Sequence, residues 1–508
     1  VGVVNMPSTV PPVLVSQVDS MVGYLADVFL SGTPLFPVVS SPENKVEAEQ
    51  LETLMDDHAI LGGYARQFLM FFRDCVKYNF GALEIDWSSV DQYSLTDEML
   101  SPGQQTLQRG SKFYNKAERK DPYNTIWDHN VAPGDVAAKG DYAGYIEIMS
   151  HTKLKRFLNR LGNNKEAINI DKALDTNSTV SSDSYYRIPP QVSDYIAARK
   201  PTTGINWVSY ITGKNSATPD RGDNYEVFTL YARILPSDFK LNAPAKNTPQ
   251  IWKLVFVNSR ILISAKRIIS AYDMLPMLFG QPLEDGLGYQ TQSIAESSIP
   301  FQSAATTLFN IRFNSARRAV SDRALYDSTA ISPEDINAPV PAPKIPVRLN
   351  KLGTNQTIKD AYYQIPFDAR GTETALQDGM TIIGFGKELS GLNNPMQGQF
   401  QKGNKSVQEW NDTMGGADAR LRLPALCLEY QVFQPFKQIA VLNIFQYGDN
   451  VQLVSQRTGQ LHDIDIAKLR SKVLSFRIAD GYTPKSKLAG TEALQGLMTI
   501  LGQSQVLQ

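Results

Sequence analysis

Leu51, Leu54, Met55, His58, Leu61, Ala65, Phe68, Leu69, Phe72, Cys75 and Val76 recur at steps of three and four residues. This spacing limits the possible folds more tightly than anything else in the chain. It marks one wide apolar stripe and predicts a single helix over roughly Lys45 to Tyr78. The period then changes. "GALEIDW", from Gly81, alternates apolar and polar residues as a half-buried strand does. A long buried helix running directly into a strand makes the chain a mixed α+β protein.

The rest of the chain follows the same mixture. Val18 to Leu30 reads as a short amphipathic helix, and Thr152 to Leu161 as another, with a capping Ser/Thr, a basic body and a Gly stop. Between them, "DPYNTIWDHNVAPGDV" reads as extended loop. Asp171 to Ser184 is a polar loop. Tyr225 to Leu235 and Ile251 to Ile268 are rich in β-formers and predict a meander of three or four strands. "AYDMLPMLFGQPLEDGLG" reads as a connecting loop. A second long helical pattern runs from Tyr289 to about Tyr326, and Pro300 is expected to kink or restart it. Pro333, Pro339, Pro341, Pro343 and Pro346 make a stiff connector. Glu373 to Leu389 is helical, weakened by three glycines. Val407 to about Gln446 is helical with breaks at Gly415-Gly416, Pro424 and Pro435. A β segment over Val451 to Phe476 and a C-terminal helix complete the pattern, and no repeat of 20–50 residues is visible.

The chemistry of the sequence is sparse. The 508 residues carry a net charge of −1, so no overall basic excess announces nucleic acid. The cysteines Cys75 and Cys427 sit in apolar contexts, as buried free thiols do. His58, His129, His151 and His462 are scattered, with no zinc-binding spacing; His58 reads as a satisfied core histidine. "YITGKNS" has Val208 where a P-loop needs its first glycine, and "GFGKEL" lacks the third glycine of a dinucleotide fingerprint. "RGD" at Arg221 to Asp223 is a turn-like tripeptide, and Asp56-Asp57 reads as an exposed helix face. No metal, cofactor or catalytic residue is expected. The opening "VGVVNMPSTVPPVLV" is short and proline-broken and reads as neither a signal peptide nor a span, and no other apolar run is expected to reach the ~18 residues a spanning helix needs.

Two basic features stand out. Arg312, Arg317, Arg318 and Arg323 lie in the second long helical pattern, where spacings of five, six and eleven put Arg312, Arg323 and one of the pair on one side. A solvated or salt-bridged interface competes there with a face toward a polyanion. The other is the segment Gly391 to Gln408, which has no acid, two lysines (Lys402 and Lys405) and much Gly, Asn and Gln. Taken alone it is an ordinary surface loop.

Set in order, these stretches resemble the portal proteins (head–tail connectors) of tailed bacteriophages. "FGALEIDW" after a long helix is similar to the start of the portal wing. "MLPMLFGQPLEDGLGYQTQSIAESSIPFQSAATTLFNIRFN" resembles the passage from a strand end through a Gly-rich turn into the stem helix. "GKELSGLNNPMQGQFQKGNKSVQEWNDTMGGADARLRLPALCLEY" resembles the succession of helix, tunnel loop and second long helix. The resemblance spans roughly Gln50 to Gln446.

The resemblance implies a portal-type α+β fold with long stem and wing helices and separate β clusters, assembling as a ring, usually a dodecamer. It implies a wing over 1–219, a clip-like β region over 220–285, a stem helix over 286–330, a wing return and helix over 331–390, a tunnel loop over 391–408, and a long helix with a C-terminal β segment and helix over 409–508. It implies a virion protein at one capsid vertex, assembled in the host cytoplasm. Double-stranded DNA would pass through it without sequence readout. The major capsid protein, the terminase and tail adaptor proteins would be partners, and no membrane would be involved. Gln397, Gln399, Gln401, Lys402, Asn404 and Lys405 would face DNA, and the four arginines would face either the channel or a neighbouring subunit. A loop with only two lysines suits translocation, because each lysine–phosphate contact releases counterions and adds grip. The rivals are another virion structural protein and an α+β enzyme with a carboxylate site that no motif reveals.

Overall fold

A computed structural model describes residues 10–32, 34–40, 42–96, 106–163, 168–170, 173, 224–239, 244–258, 260–284, 292–320, 324–329, 331–332, 348, 357, 362–364, 370–390, 422–455, 459, 461–471 and 477–478. The protein is α+β and divides into two compact units, one of Val1–Gln17 with Glu296–Gln401, the other of Val18–Ala295 with Lys402–Gln508.

The apolar stripe belongs to two helices rather than one. Helix α2 (Lys45–Gly62) stops where Gly63 takes φ +59°, and α3 (Tyr64–Tyr78) starts at the next residue. The Gly63 amide donates to the carbonyls of Ala59 and Ile60, the left-handed cap that ends a helix at glycine. The periodicity passes through the break because both helices bury the same side. Asn79, also left-handed, ends α3, and β2 (Gly81–Thr96) follows. Ahead of α2, the short β1 (Val38–Val39) pairs with β14 (Arg477–Ile478).

β2 is far longer than "GALEIDW". It pairs with β3 (Thr106–Lys120) from Ala82↔Lys120 to Thr96↔Thr106, and its first residues pair on the other edge with β9 (Met277–Gly280). β9 falls in the stretch expected to be loop; all four of its residues are buried. A second sheet holds five strands in chain order: β4 (Thr125–Trp127), β5 (Tyr142–Ser150), β6 (Asn224–Ile234), β7 (Gln250–Val257) and β8 (Ile261–Arg267). The predicted meander is therefore present, but β5 and β4 extend it. Within the region expected at 220–285, β6 pairs with β5 and β9 pairs with β2. The stretch expected as extended loop holds β4 and a short helix, α4 (Val136–Lys139).

Three layers result. On one face of the β2 sheet, helices bury a cluster of aromatic rings: Phe29, Phe68 and Phe72 meet Phe433 at centroid distances of 5.8 Å or less, and Tyr64 and Phe68 meet Phe436 at 5.5 Å. Such pairs contribute about 0.5–1.5 kcal/mol each beyond the area they bury. Phe433 ends a π-helical turn, Glu429–Phe433, that continues into α8 (Gln434–Tyr447). Gly81 and Gly280 permit the close approach, since a Cβ at either would fall within 2.8 Å of Phe71 and its neighbours. On the other face, Ala82, Met277 and Phe279 pack against Ala143, Tyr145, Tyr231 and Ile251 of the five-stranded sheet. Helix α5 (His151–Asn163) covers the far end of that sheet with Leu154 and Leu158, both fully buried.

Helix α1 (Val13–Leu30) begins five residues before the predicted start. It is long and apolar enough to cross a membrane by length and composition, against expectation. Its stripe of Val18, Met21, Val22, Leu25 and Phe29 is buried in the core. The unit of Glu296–Gln401 is built on α6 (Ile294–Val320) and α7 (Arg370–Ser390). α6 runs through Pro300 without a restart. Gly379 lies against Leu308 and Phe309, and Gly386 against Phe301, so α6 and α7 are antiparallel. A short antiparallel pair, β10 (Ala324–Tyr326) with β11 (Tyr362–Gln364), belongs to the same unit. The predicted C-terminal β segment is a hairpin, β12 (Val451–Val454) with β13 (Leu461–Ile464), followed by α9 (Ile466–Ser471). The predicted C-terminal helix lies outside the described residues.

Candidate functional site

Gln397, Gln399, Gln401, Lys402, Asn404 and Lys405 lie outside the described residues, as does Arg323. α6 is described to Val320, and Ala324–Tyr326, expected as the end of the same helix, is the strand β10. Arg312 is half-buried on α6. Arg317 and Arg318 fall near its C-terminal end, where the helix dipole favours cations.

The helix pair that leads to 391–408 has a distinctive surface. Ile299, Ile311 and Phe313 on α6 and Leu376, Met380 and Phe385 on α7 are 39–63% exposed. Meanwhile Ala305 and Ala375 are buried, and two glycines of α7, Gly379 and Gly386, let the helices approach closely. The pair thus buries small residues where its helices meet, against Phe301, Leu308 and Phe309, and leaves these six large apolar side chains exposed. That distribution is the reverse of a helix pair finished in isolation.

The structure also assembles a charged cluster that sequence reading missed. Glu84 and Asp86 on β2, Glu118 and Lys120 on β3, Glu147 on β5 and Lys253 on β7 converge where the two sheets meet. Lys120 Nζ lies 2.9 Å from Glu84 Oε2, 3.1 Å from Glu147 Oε1 and 3.2 Å from Glu118 Oε2. It also sits 3.8 Å above the Tyr145 ring. Lys253 Nζ reaches Asp86 Oδ2 at 3.2 Å. The hydroxyls of Tyr145 and Tyr231 both donate to Glu84 Oε1, at 3.1 and 2.5 Å. Local register explains the convergence. Residues two apart on a strand share a face, so Glu84 and Asp86 stand opposite Glu118 and Lys116 across the ladder. No spacing in the sequence joins Glu84 to Lys253; the packing of one sheet on the other does.

The electrostatics make this cluster structural. Burial opposes ionisation of Glu84, but the neighbouring Lys120 and Lys253 ammoniums and the tyrosine hydroxyl outweigh it and hold the carboxyl down at about 2. Burial likewise opposes the charge on Lys120, and Glu84, Tyr145, Glu147 and Glu118 outweigh it, raising its pKa. A carboxyl held well below its usual range is a weak base, and an ammonium held above its own is a weak acid, so neither is poised for proton transfer near neutral pH. Glu84 and Lys120 are each 4% exposed, so no substrate reaches them. The cluster pins two sheets together.

Other expectations were met or corrected by packing. His58 is a core histidine whose Nδ1 accepts from the Asn115 backbone amide at 3.4 Å. Cys75 is buried and Cys427 half-buried, both free. Asp56 and Asp57 do not form an exposed face: Asp56 accepts from the Leu35 amide at 2.9 Å, and Asp57 pairs with Lys112 at 2.8 Å. "RGD" and "YITGKNS" lie outside the described residues. Among the described residues, no group of three or more His, Cys, Asp or Glu is placed to hold a metal ion.

Fold and surface together define a mixed α+β protein with a helix pair that exposes apolar side chains and an ionic cluster centred on two buried charges. No family model matches the chain, and no curated protein matches it.

Proposed function

We propose that this chain is the subunit of a phage portal, a non-enzymatic ring at one capsid vertex through which double-stranded DNA is packaged and ejected. The observation that carries the reading is the antiparallel pair α6–α7, whose large apolar residues are uncovered. In a closed ring every subunit offers such faces to two neighbours, and a heterologous contact that closes needs no partner of another kind. The pair leads directly into Gly391 to Gln408, the acid-free segment that resembles a tunnel loop. The terminase, then tail adaptor proteins, dock on such a ring, and the major capsid protein surrounds it.

Native mass spectrometry and negative-stain microscopy of the purified chain test this. A ring of about twelve subunits with an open channel is expected. A protein that stays monomeric at micromolar concentration, alone and with the other head proteins, overturns it. Against the enzyme reading, Glu84, the carboxylate at the centre of the charged cluster, is sealed from any substrate.

A further inference from the structure

We infer that the outward face of helix α5 binds the phosphate backbone of duplex DNA without regard to sequence, as a contact separate from 391–408. The inference does not depend on ring assembly. α5 reads HTKLKRFLNRLGN and contains no acidic residue. Its apolar residues are spent on the five-stranded sheet: Leu154 and Leu158 are fully buried, and Phe157 and Leu161 pack beside them. What remains exposed is Thr152, Lys153, Lys155, Arg156, Asn159 and Arg160, all cationic or hydrogen-bonding. Lys155, Arg156 and Arg160 make no ion pair with any described residue. Other surface cations of this unit do find acids, as in Arg73–Asp19, Lys139–Asp135 and Arg233–Asp273.

The arrangement is unfavourable for the free helix. Lys153 and Arg156 are three apart and Arg156 and Arg160 four apart, so like charges repel along one side. Lys153, Lys155 and Arg156 also sit in the N-terminal half, where the helix dipole opposes cations. An anion removes both penalties.

The chemistry of the face selects the anion. An acidic protein partner would need an apolar centre to bury, and a membrane would need an apolar face to insert; α5 presents neither. Phosphates need only charge and hydrogen-bond donors, which Thr, Asn, Lys and Arg supply. Residues 152–160 span about 12 Å at 1.5 Å per residue, enough to follow roughly three phosphates of one strand.

The test is fluorescence anisotropy of a labelled duplex of arbitrary sequence, titrated with the full chain at several salt concentrations. The variant is Lys155→Gln/Arg156→Gln/Arg160→Gln, which leaves the buried leucines untouched. Its plot of log affinity against log salt should be shallower by about 3, with affinity at low salt down at least ~tenfold. If the triple variant does not fold, Arg156→Gln alone should lower the slope by about 1. Unchanged affinity and slope overturn the inference. So does loss of binding only in Lys402→Gln/Lys405→Gln, which would assign the contact to the other segment. Duplex binding retained by the triple variant while adsorption to phosphatidylserine vesicles or polyglutamate is lost overturns it in favour of a membrane or an acidic protein.

Discussion

Glu84, Lys120 and His58 show how much single residues carry in this core. Removing one partner of a buried ion pair leaves the other charge uncompensated, at a cost of about 3–5 kcal/mol. Glu84→Gln and Lys120→Met should each destabilise the protein by that amount in urea unfolding. A Glu84→Leu/Lys120→Met double variant should lose less than the sum, because the pair's mutual attraction is counted once, although Glu147 and Lys253 each lose a partner. His58 sets an acid limit. Burial first, then the charge of Lys112, pushes its pKa down to about 3, whereas in the unfolded chain it titrates near its usual 6.5. Below pH 6.5 the unfolded state takes up a proton that the folded state refuses. The stability linked to His58 is therefore intact above 6.5 and is lost as pH falls toward 3. Between pH 7 and pH 4 that loss amounts to about 3 kcal/mol. His58→Gln should unfold with a pH dependence shallower by that amount, and identical curves for the two proteins would refute the assignment.

Among the elements, glycine decides where the stripe breaks. Gly63 adopts φ +59°, and a Cβ added there would meet nothing within 4 Å, so the conformation and not crowding requires it. Gly63→Ala should cost about 1 kcal/mol, and Gly63→Asn less, since asparagine tolerates this conformation. A melting series of the three proteins checks the order. The "GG" was visible in the sequence, but periodicity outweighed it because both helices bury the same side. β9 was read as loop because four residues next to proline and glycine show no period. It is a strand because β2 offers it an edge. Arg317 and Arg318 lie on α6, the helix whose apolar face is uncovered. Charge reversal at both should prevent assembly if they pair across subunits, and sedimentation velocity would then show monomer. Intact rings with altered DNA packaging would place them toward the channel instead.

For the molecule taken whole, the proposed ring gives 391–408 its meaning. Lys402→Glu/Lys405→Glu should leave assembly unchanged and impair packaging, because each subunit would then repel the duplex it had weakly attracted. An in-vitro packaging assay reads this directly, and normal packaging by intact rings would remove that segment from the DNA path.

Whatever depends on neighbours along the chain could be read before folding. The amphipathic stripes, the β-rich runs of β6, β7 and β8 and the basic body of α5 follow from periods of 3.6 and 2 and from local composition. The buried state of His58 followed from its place on a stripe. Whatever depends on residues far apart emerged only in three dimensions. Folding joined β9 to β2, merged 224–284 with β4 and β5, and brought Glu84, Lys120, Glu147 and Lys253 into one cluster. It also turned Asp56 and Asp57 inward to partners at Leu35 and Lys112. The physical reason is the same in each case: a strand edge, a counter-ion or a hydrogen-bond donor is supplied by a segment whose distance along the chain carries no record of its distance in space.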